Sequence, residues 1–196
     1  MRSRKGRTKH ICGLWANAAR GWLLILFLST LGWLWETVYT LLWFHRLSDR
    51  GFLALPICPI YGFTIMGFYG LFGTPHRGRY AMKRIRPAFL RYAVYLLLAF
   101  VVPTAMELAV GGFFHGIWGV RLWDYSARPY NLYGYISLPI SLLWSVALTL
   151  FMRWLFLPLR NFFQSAKTKP AVIIAVLSGI LVTTDFIYNL TLLFMA

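Results

Sequence analysis

Three of the five acidic residues in this chain lie inside hydrophobic segments long enough to cross a membrane. They are Glu36, Glu107 and Asp185. A charged side chain at the centre of a membrane helix costs at least about 2.5–3.5 kcal/mol on insertion scales, so such groups usually face a bundle interior or a wet cavity. Because intramembrane carboxylates commonly bind cations or relay protons, this pattern predicts a polar site within the membrane.

The composition indicates that a membrane bundle positions these carboxylates. Hydrophobic residues make up 59% of the 196 residues, which is more apolar surface than a soluble domain of this size can bury. Each of five apolar segments approaches the roughly 20 residues needed to span a bilayer: 22–44, 52–72, 89–112, 134–157 and 171–195. We predict an all-α polytopic bundle of about five transmembrane helices, with a basic tail at 1–20 and one membrane domain at 21–196.

The second apolar segment carries two prolines near its start, Pro56 and Pro59. Proline removes a backbone donor and disfavours helix in the residue before it, so a continuous helix is not expected there. We expect a broken or re-entrant entry, which a membrane tolerates only where protein or water covers the freed backbone.

The distribution of basic residues predicts the orientation. Sixteen of the twenty Lys and Arg lie in the N-terminal tail and in the second and fourth connections, and the opposite side has only Arg46, Arg50, Arg121 and Arg128. By the positive-inside rule, the N-terminus is predicted to be cytoplasmic and the C-terminus external, in the plasma or inner membrane. The same clustering between apolar segments explains the net charge of +15, so no nucleic-acid partner is expected.

In this orientation the three membrane carboxylates lie in the external half, at the depth of the external arginines. The third connection adds Asp124, Arg128 and Asn131 among turn-forming residues, which indicates a structured loop that caps the bundle. The predicted substrate-binding residues are Glu36, Arg50, Glu107, Asp124, Arg128, Asn131 and Asp185. Ion pairs that only lock the loops onto the bundle are the alternative explanation for these residues.

Catalytic, metal and nucleotide motifs are absent from the sequence. It contains no H-E-x-x-H, no G-x-S-x-G and no G-x-x-x-x-G-K-[ST]. We therefore predict no catalytic residue, no metal and no cofactor, and we favour a non-enzymatic role. The expected partners are the lipid bilayer, an ATPase or another membrane subunit, and an unidentified small solute or lipid.

Several of these stretches resemble the CmpB-like permeases of the ABC-transporter type IV family. The resemblance covers about residues 22–190 and is carried by Leu31-Gly-Trp-Leu-Trp-Glu36, Arg50-Gly-Phe-Leu, Pro56-Ile-Cys-Pro-Ile-Tyr-Gly62, Glu107, Trp123-Asp-Tyr-Ser and Arg128-Pro-Tyr-Asn131 with Gly134. It implies a multi-pass membrane protein that would need a partner ATPase and a cytoplasmic docking segment. The basic connection at 74–87 is the candidate for docking, and contact with anionic lipid headgroups also explains its charge.

Three functions remain open from the sequence. The first is a permease-like transporter, in which carboxylates at a broken helix bind a cation or relay protons. The second is a membrane-embedded enzyme that acts on a lipid headgroup from the outer face. The third is a structural or assembly subunit in which the ion pairs only stabilise the bundle.

Overall fold

The computed structural model describes residues 2–45 and 52–195 of the chain. Across these ranges, the helices and the one hairpin follow in this order: α1 (Arg2–Phe44), α2 (Pro59–Phe72), α3 (Tyr80–Arg84), α4 (Ala88–Trp118), β1 (Asn131–Leu132), β2 (Ile136–Ser137), α5 (Leu138–Trp154), α6 (Phe156–Gln164) and α7 (Thr168–Met195). The two strands are antiparallel. The prediction of an all-α membrane bundle is confirmed.

Each predicted apolar segment corresponds to a helix or a helix pair. Among the described residues, three helices are long and apolar enough to cross a membrane: Gly13–Leu42 within α1, the whole of α4 and the whole of α7. Helices α5 and α6 meet at a 53° bend, and together they form a fourth span if the bent pair is one crossing. Helix α2 is apolar but shorter. The bend has a local cause, because Pro158 lacks the amide hydrogen that the Trp154 carbonyl would otherwise accept.

The predicted break in the second segment is confirmed. Residues 52–58 are not helical, and α2 begins at Pro59. Two of the freed amides are satisfied by protein: Leu55 N–H donates to Asp185 Oδ2 at 3.2 Å, and Cys58 N–H donates to the Ser29 carbonyl at 3.0 Å. The break therefore persists because neighbouring helices supply the acceptors that water would supply in a soluble protein.

Helices α1 and α2 approach each other at backbone distance. A Cβ atom added to Gly62 would lie 2.3 Å from the Ile25 carbonyl oxygen, and one added to Gly32 would lie 2.3 Å from Cγ of Tyr61. Small residues allow this kind of approach, which van der Waals packing then stabilises in lipid. The contact holds the Tyr61 ring against α1, one turn before Glu36.

The apolar core contacts α1 near the middle of the helix, at Leu24 and Leu28. It contains buried side chains from five helices and α3: Leu24, Leu28, Phe68, Met82, Tyr95, Ala99, Leu148, Met152 and Phe156. Glu36 is eight residues beyond Leu28, which is about 12 Å along the helix axis. Glu36 therefore lies beyond this core, toward the C-terminal end of α1.

The basic tail is continuous with the first span, because the helical backbone of α1 starts at Arg2. The division at residue 20 and the cytoplasmic placement of the tail stay predictions.

Candidate functional site

A small cavity lies between α1, α5 and the loop that joins α4 to β1. Its volume is about 180 Å³. The wall combines four aromatic rings with three charged side chains: Trp35, Tyr39, Tyr125, Trp144, Glu36, Asp124 and Arg128. Three of the predicted site residues therefore meet at one cavity: Glu36 from α1, and Asp124 and Arg128 from a loop more than 85 residues further along the chain.

Glu36 is held on the cavity wall by its helix and by a partner helix. Glu36, Tyr39 and Thr40 share one face of α1 because they are spaced by three and four residues. The hydroxyl of Tyr61 on α2 donates a hydrogen bond to Oε1 of Glu36. The carboxylate is half-buried, so it is partly withdrawn from water while it remains in reach of the cavity.

An aromatic cluster surrounds this hydrogen bond. The Trp144 ring of α5 lies with its centroid 5.1 Å from that of Tyr61 and 5.9 Å from that of Trp35. The cluster joins α1, α2 and α5 beside the carboxylate. Aromatic faces carry negative charge density, so a cation placed here would be attracted by the rings as well as by Glu36.

Glu107 lies near this region but does not line the cavity. It is half-buried on α4 and close enough to Glu36 for the two carboxylates to interact electrostatically. Two carboxylates in surroundings of low dielectric repel each other when both are ionised, so a bound cation or a shared proton would stabilise the pair.

Asp124 organises the loop beside the cavity. Its Oδ1 accepts hydrogen bonds from the hydroxyl and the amide of Ser126, at 2.5 Å and 2.8 Å, and from Arg121 Nη1 at 3.2 Å. The Ser126 hydrogen bonds, together with the nearby Arg121 charge, lower the pKa of Asp124 below its ordinary value. Asp124 is therefore ionised at neutral pH and is already engaged with its own loop.

Asn131 holds the same loop from its far end. Its Nδ2 donates to the carbonyls of Arg128 at 2.8 Å and Ser126 at 3.2 Å, and its Oδ1 accepts from Gly134 N–H at 3.2 Å. Gly134 has a φ of 75° and approaches so closely that a Cβ would lie 2.5 Å from Ser126 Oγ. The structure thus gives Asn131 the geometry of a positioning residue for the Arg128 backbone.

Asp185 lies outside the cavity wall and contacts the broken segment instead. Besides accepting from Leu55 N–H, it accepts from Asn189 Nδ2 through Oδ1 at 3.1 Å. Arg50, the remaining predicted site residue, lies outside the described residues. The predicted set therefore divides into residues at the cavity, residues that organise the loop, and one carboxylate that stabilises the second segment.

Sequence reasoning did not select Tyr61 or the cavity aromatics. Tyr39 had a usable signal, because it lies three residues after Glu36 on the same helical face. Trp144 had none, and Tyr61 was noted only as part of the Pro56–Gly62 stretch that carries the family resemblance. The approach of both rings to Glu36 depends on how α2 and α5 pack against α1.

Metal-ligand clusters are not found in the part of the chain that the structure describes: no three His, Cys, Asp or Glu side chains lie close enough together. In comparison with known protein families, a family model described as "Putative ABC-transporter type IV" matches residues 23–190. No curated protein and no solved structure matches the chain. The matched range includes every cavity residue named above.

Proposed function

The chain belongs to the family described as "Putative ABC-transporter type IV", and on that premise we propose that its cavity binds a small zwitterionic solute with an ammonium group. In this proposal the protein is a transport component of the membrane. Glu36 binds the cationic end of the solute, and Arg128 faces its anionic end.

The observation that carries the proposal is the meeting of Glu36 and Arg128 in one cavity with four aromatic rings. A carboxylate and aromatic faces together favour an ammonium group, and a desolvated cation–π contact contributes roughly 2 kcal/mol. A guanidinium favours carboxylate or phosphate groups, which it binds with two parallel hydrogen bonds. A site that offers both chemistries selects a zwitterion over a simple cation or a simple anion.

The cavity volume limits the size of the solute. Pockets for drug-sized ligands occupy roughly 300–1,000 Å³, and this cavity has about 180 Å³. A betaine or a small amino acid is of suitable size, whereas a whole phospholipid would enter only by its headgroup. Glu107 adds a second carboxylate within electrostatic range, so binding of a cationic group also relieves repulsion between the two acids.

Transport driven by ATP would require a partner, since the sequence has no P-loop. We propose the connection at 74–87 as the docking segment for that ATPase. It contains the short helix α3, whose Met82 is buried while Lys83 and Arg84 are exposed. An anchored helix with exposed charges is a suitable surface for a soluble partner.

The proposed function is tested by calorimetric titration of the purified full chain with trimethylglycine. Wild-type protein is expected to bind this zwitterion, and Glu36→Gln to weaken binding about tenfold or more, since removing one member of a buried charge pair costs more than about 1.4 kcal/mol. Tyr61→Phe removes the hydroxyl that donates to Glu36 and keeps both the ring and the carboxylate, so it should weaken binding less than Glu36→Gln does.

Two results would contradict the proposal. One is equal affinity of wild-type and Glu36→Gln proteins for trimethylglycine. The other is a wild-type protein that binds neither trimethylglycine nor tetramethylammonium, together with a Glu36→Gln variant whose melting temperature is lowered. That combination is expected of a purely structural carboxylate.

A further inference from the structure

Tyr69 contacts two arginines, at the other end of the bundle from the cavity. Cζ of Arg79 is 4.7 Å from the centroid of the Tyr69 ring, and Cζ of Arg160 is 5.4 Å from it. The three residues come from different elements: Tyr69 from α2, Arg79 from the residue before α3, and Arg160 from α6. The same ring packs on Phe156, with centroids 4.5 Å apart, so it is held firmly.

Both guanidinium groups contact the same ring, and within the described residues neither of them is paired with a carboxylate. Their distances to one ring centroid put them no more than about 10 Å apart. In the described ranges, neither side chain donates a hydrogen bond or forms a salt bridge. The acids of the described ranges lie elsewhere: Glu36 and Asp124 line the cavity, Glu107 lies near it, and Asp185 on α7 contacts the broken segment.

Other arginines on this side of the bundle are satisfied differently. Arg20 donates to the Ala166 carbonyl at 3.0 Å and 2.8 Å, and Arg91 donates to the Pro75 carbonyl at 2.8 Å. Those contacts supply acceptors for the N–H groups of Arg20 and Arg91, whereas a cation–π contact leaves the N–H groups of Arg79 and Arg160 available.

Arg79 is presented by an ordered loop. Gly73 and Gly78 form an antiparallel bridge, and the buried hydroxyl of Tyr95 donates to the Gly73 carbonyl at 2.9 Å. The Arg79 amide donates to the Phe72 carbonyl at 3.0 Å. Because the backbone that carries Arg79 is held at both ends, little conformational entropy remains to be lost when the guanidinium binds a ligand.

We propose that Arg79 and Arg160, held by the Tyr69 ring, form a binding site for a phosphate group. Two nearby cations with unused donors attract a doubly hydrogen-bonding anion, and guanidinium groups match phosphate oxygens in pairs. The phosphate group would come from an anionic phospholipid headgroup or from free phosphate. This site is separate from the zwitterion cavity and does not depend on its function.

The test measures binding of phosphatidylglycerol to the full chain in detergent by native mass spectrometry, with phosphatidylcholine as the reference lipid. We expect the variant R79Q/R160Q to bind phosphatidylglycerol about tenfold more weakly than wild type, because charge-assisted hydrogen bonds are lost. The matched control is R84Q, which removes one exposed arginine from neighbouring α3.

Competition by inorganic phosphate distinguishes the two sources. Displacement of phosphatidylglycerol by millimolar phosphate would support a site for the free anion, and retention of the lipid would support a headgroup site. Equal phosphatidylglycerol binding by R79Q/R160Q and wild type would overturn the proposal, and so would an equal loss in R84Q. If the double variant does not fold, R79K keeps the charge without the planar fork, and unchanged binding by R79K and R160K would likewise overturn it.

Discussion

The hydroxyl of Tyr61 donates a hydrogen bond to the carboxylate of Glu36, from 25 residues further along the chain and from a different helix. The pair forms because Gly32, one turn before Glu36, leaves room for the Tyr61 ring against α1. A polar contact between α1 and α2 thus depends on a glycine that makes no polar contact itself, and this dependence can be tested directly.

Adding a methyl group at Gly32 should displace Tyr61 from Glu36. The new Cβ of Gly32→Ala would lie 2.3 Å from Cγ of the ring, so we expect a destabilisation of about 1–3 kcal/mol and weaker trimethylglycine binding. Thermal unfolding and calorimetric titration measure the two effects. Gly21→Ala is the control, because a Cβ at Gly21 on the same helix meets nothing within 4 Å. Similar melting temperatures for the two variants would contradict the assigned contact.

Removing the carboxylate of Asp185 should destabilise the broken second segment. Asp185→Ala leaves the Leu55 amide without its acceptor, at an expected cost of about 1–3 kcal/mol. Thermal unfolding of the purified protein measures the loss. Asn189→Ala tests the other side of the same carboxylate and should cost less, because Asp185 still accepts from Leu55. An Asp185→Ala protein as stable as wild type would show that the Leu55 amide finds another acceptor.

Neutralising Glu107 should show whether its carboxylate takes part in ligand binding or only stabilises the bundle. If Glu36 and Glu107 act together on a cation, Glu107→Gln weakens trimethylglycine binding while the melting temperature changes by less than about 2 °C. Parallel titration and unfolding experiments on one preparation give both values. A large fall in melting temperature with unchanged binding would instead assign Glu107 to an ion pair that stabilises the bundle.

The loop around Asp124 should loosen in acid. The pKa of Asp124 is lowered by its folded surroundings, so its contribution to stability is complete above the unfolded aspartate value of roughly 3.9 and is lost as the pH falls through the lower folded value. Trp123 in this loop donates from its indole N–H to the Tyr135 carbonyl at 2.8 Å. We expect the Trp123 indole NMR signal to shift below about pH 4. If the Trp123 signal of the Asp124→Asn variant shifted over the same pH range, Asp124 would be excluded as the cause.

An associated ATPase should be found when the protein is extracted gently from its own membrane. Native mass spectrometry would detect the complex, and reversing the charges of Lys83 and Arg84 on α3 should dissociate it, because the exposed charges would then oppose the partner. Lys169→Glu, a basic residue at the start of α7, is the control. A lone chain in the wild-type preparation would remove the ATPase from the proposed function and leave the cavity proposal standing.

Much of the architecture follows from local properties that the sequence displays. Hydropathy over about 20 residues identifies each apolar segment, since burying backbone in lipid requires a helix regardless of its neighbours. The break before α2 follows from Pro56 and Pro59 in the same way, because the missing amide hydrogens belong to the prolines themselves. The 53° bend between α5 and α6 has a comparable local signal in Pro158, which sequence reasoning did not use.

The candidate site was only partly predictable. Glu36 was predicted because a carboxylate is costly inside an apolar segment, and Asp124 and Arg128 because they lie in a loop of turn-forming residues expected to cap the bundle. All three line one cavity. Asp185 was predicted for the same reason as Glu36, but its carboxylate accepts a hydrogen bond from the Leu55 amide instead of lining the cavity. A buried charge signals that a partner exists, but the sequence does not distinguish an amide of the neighbouring backbone from a solute.

The sequence by itself therefore determined a membrane protein of apolar helices with a few costly carboxylates, because those features depend on each residue's own transfer free energy. Only the tertiary structure decided which carboxylate meets which partner. Rotation of a helix about its axis is set by close packing, such as Gly32 against Tyr61, and a rotation by one residue would turn Glu36 by about 100° away from its neighbours. The cavity and the paired arginines at Tyr69 both arise at that level, from contacts between elements distant in sequence.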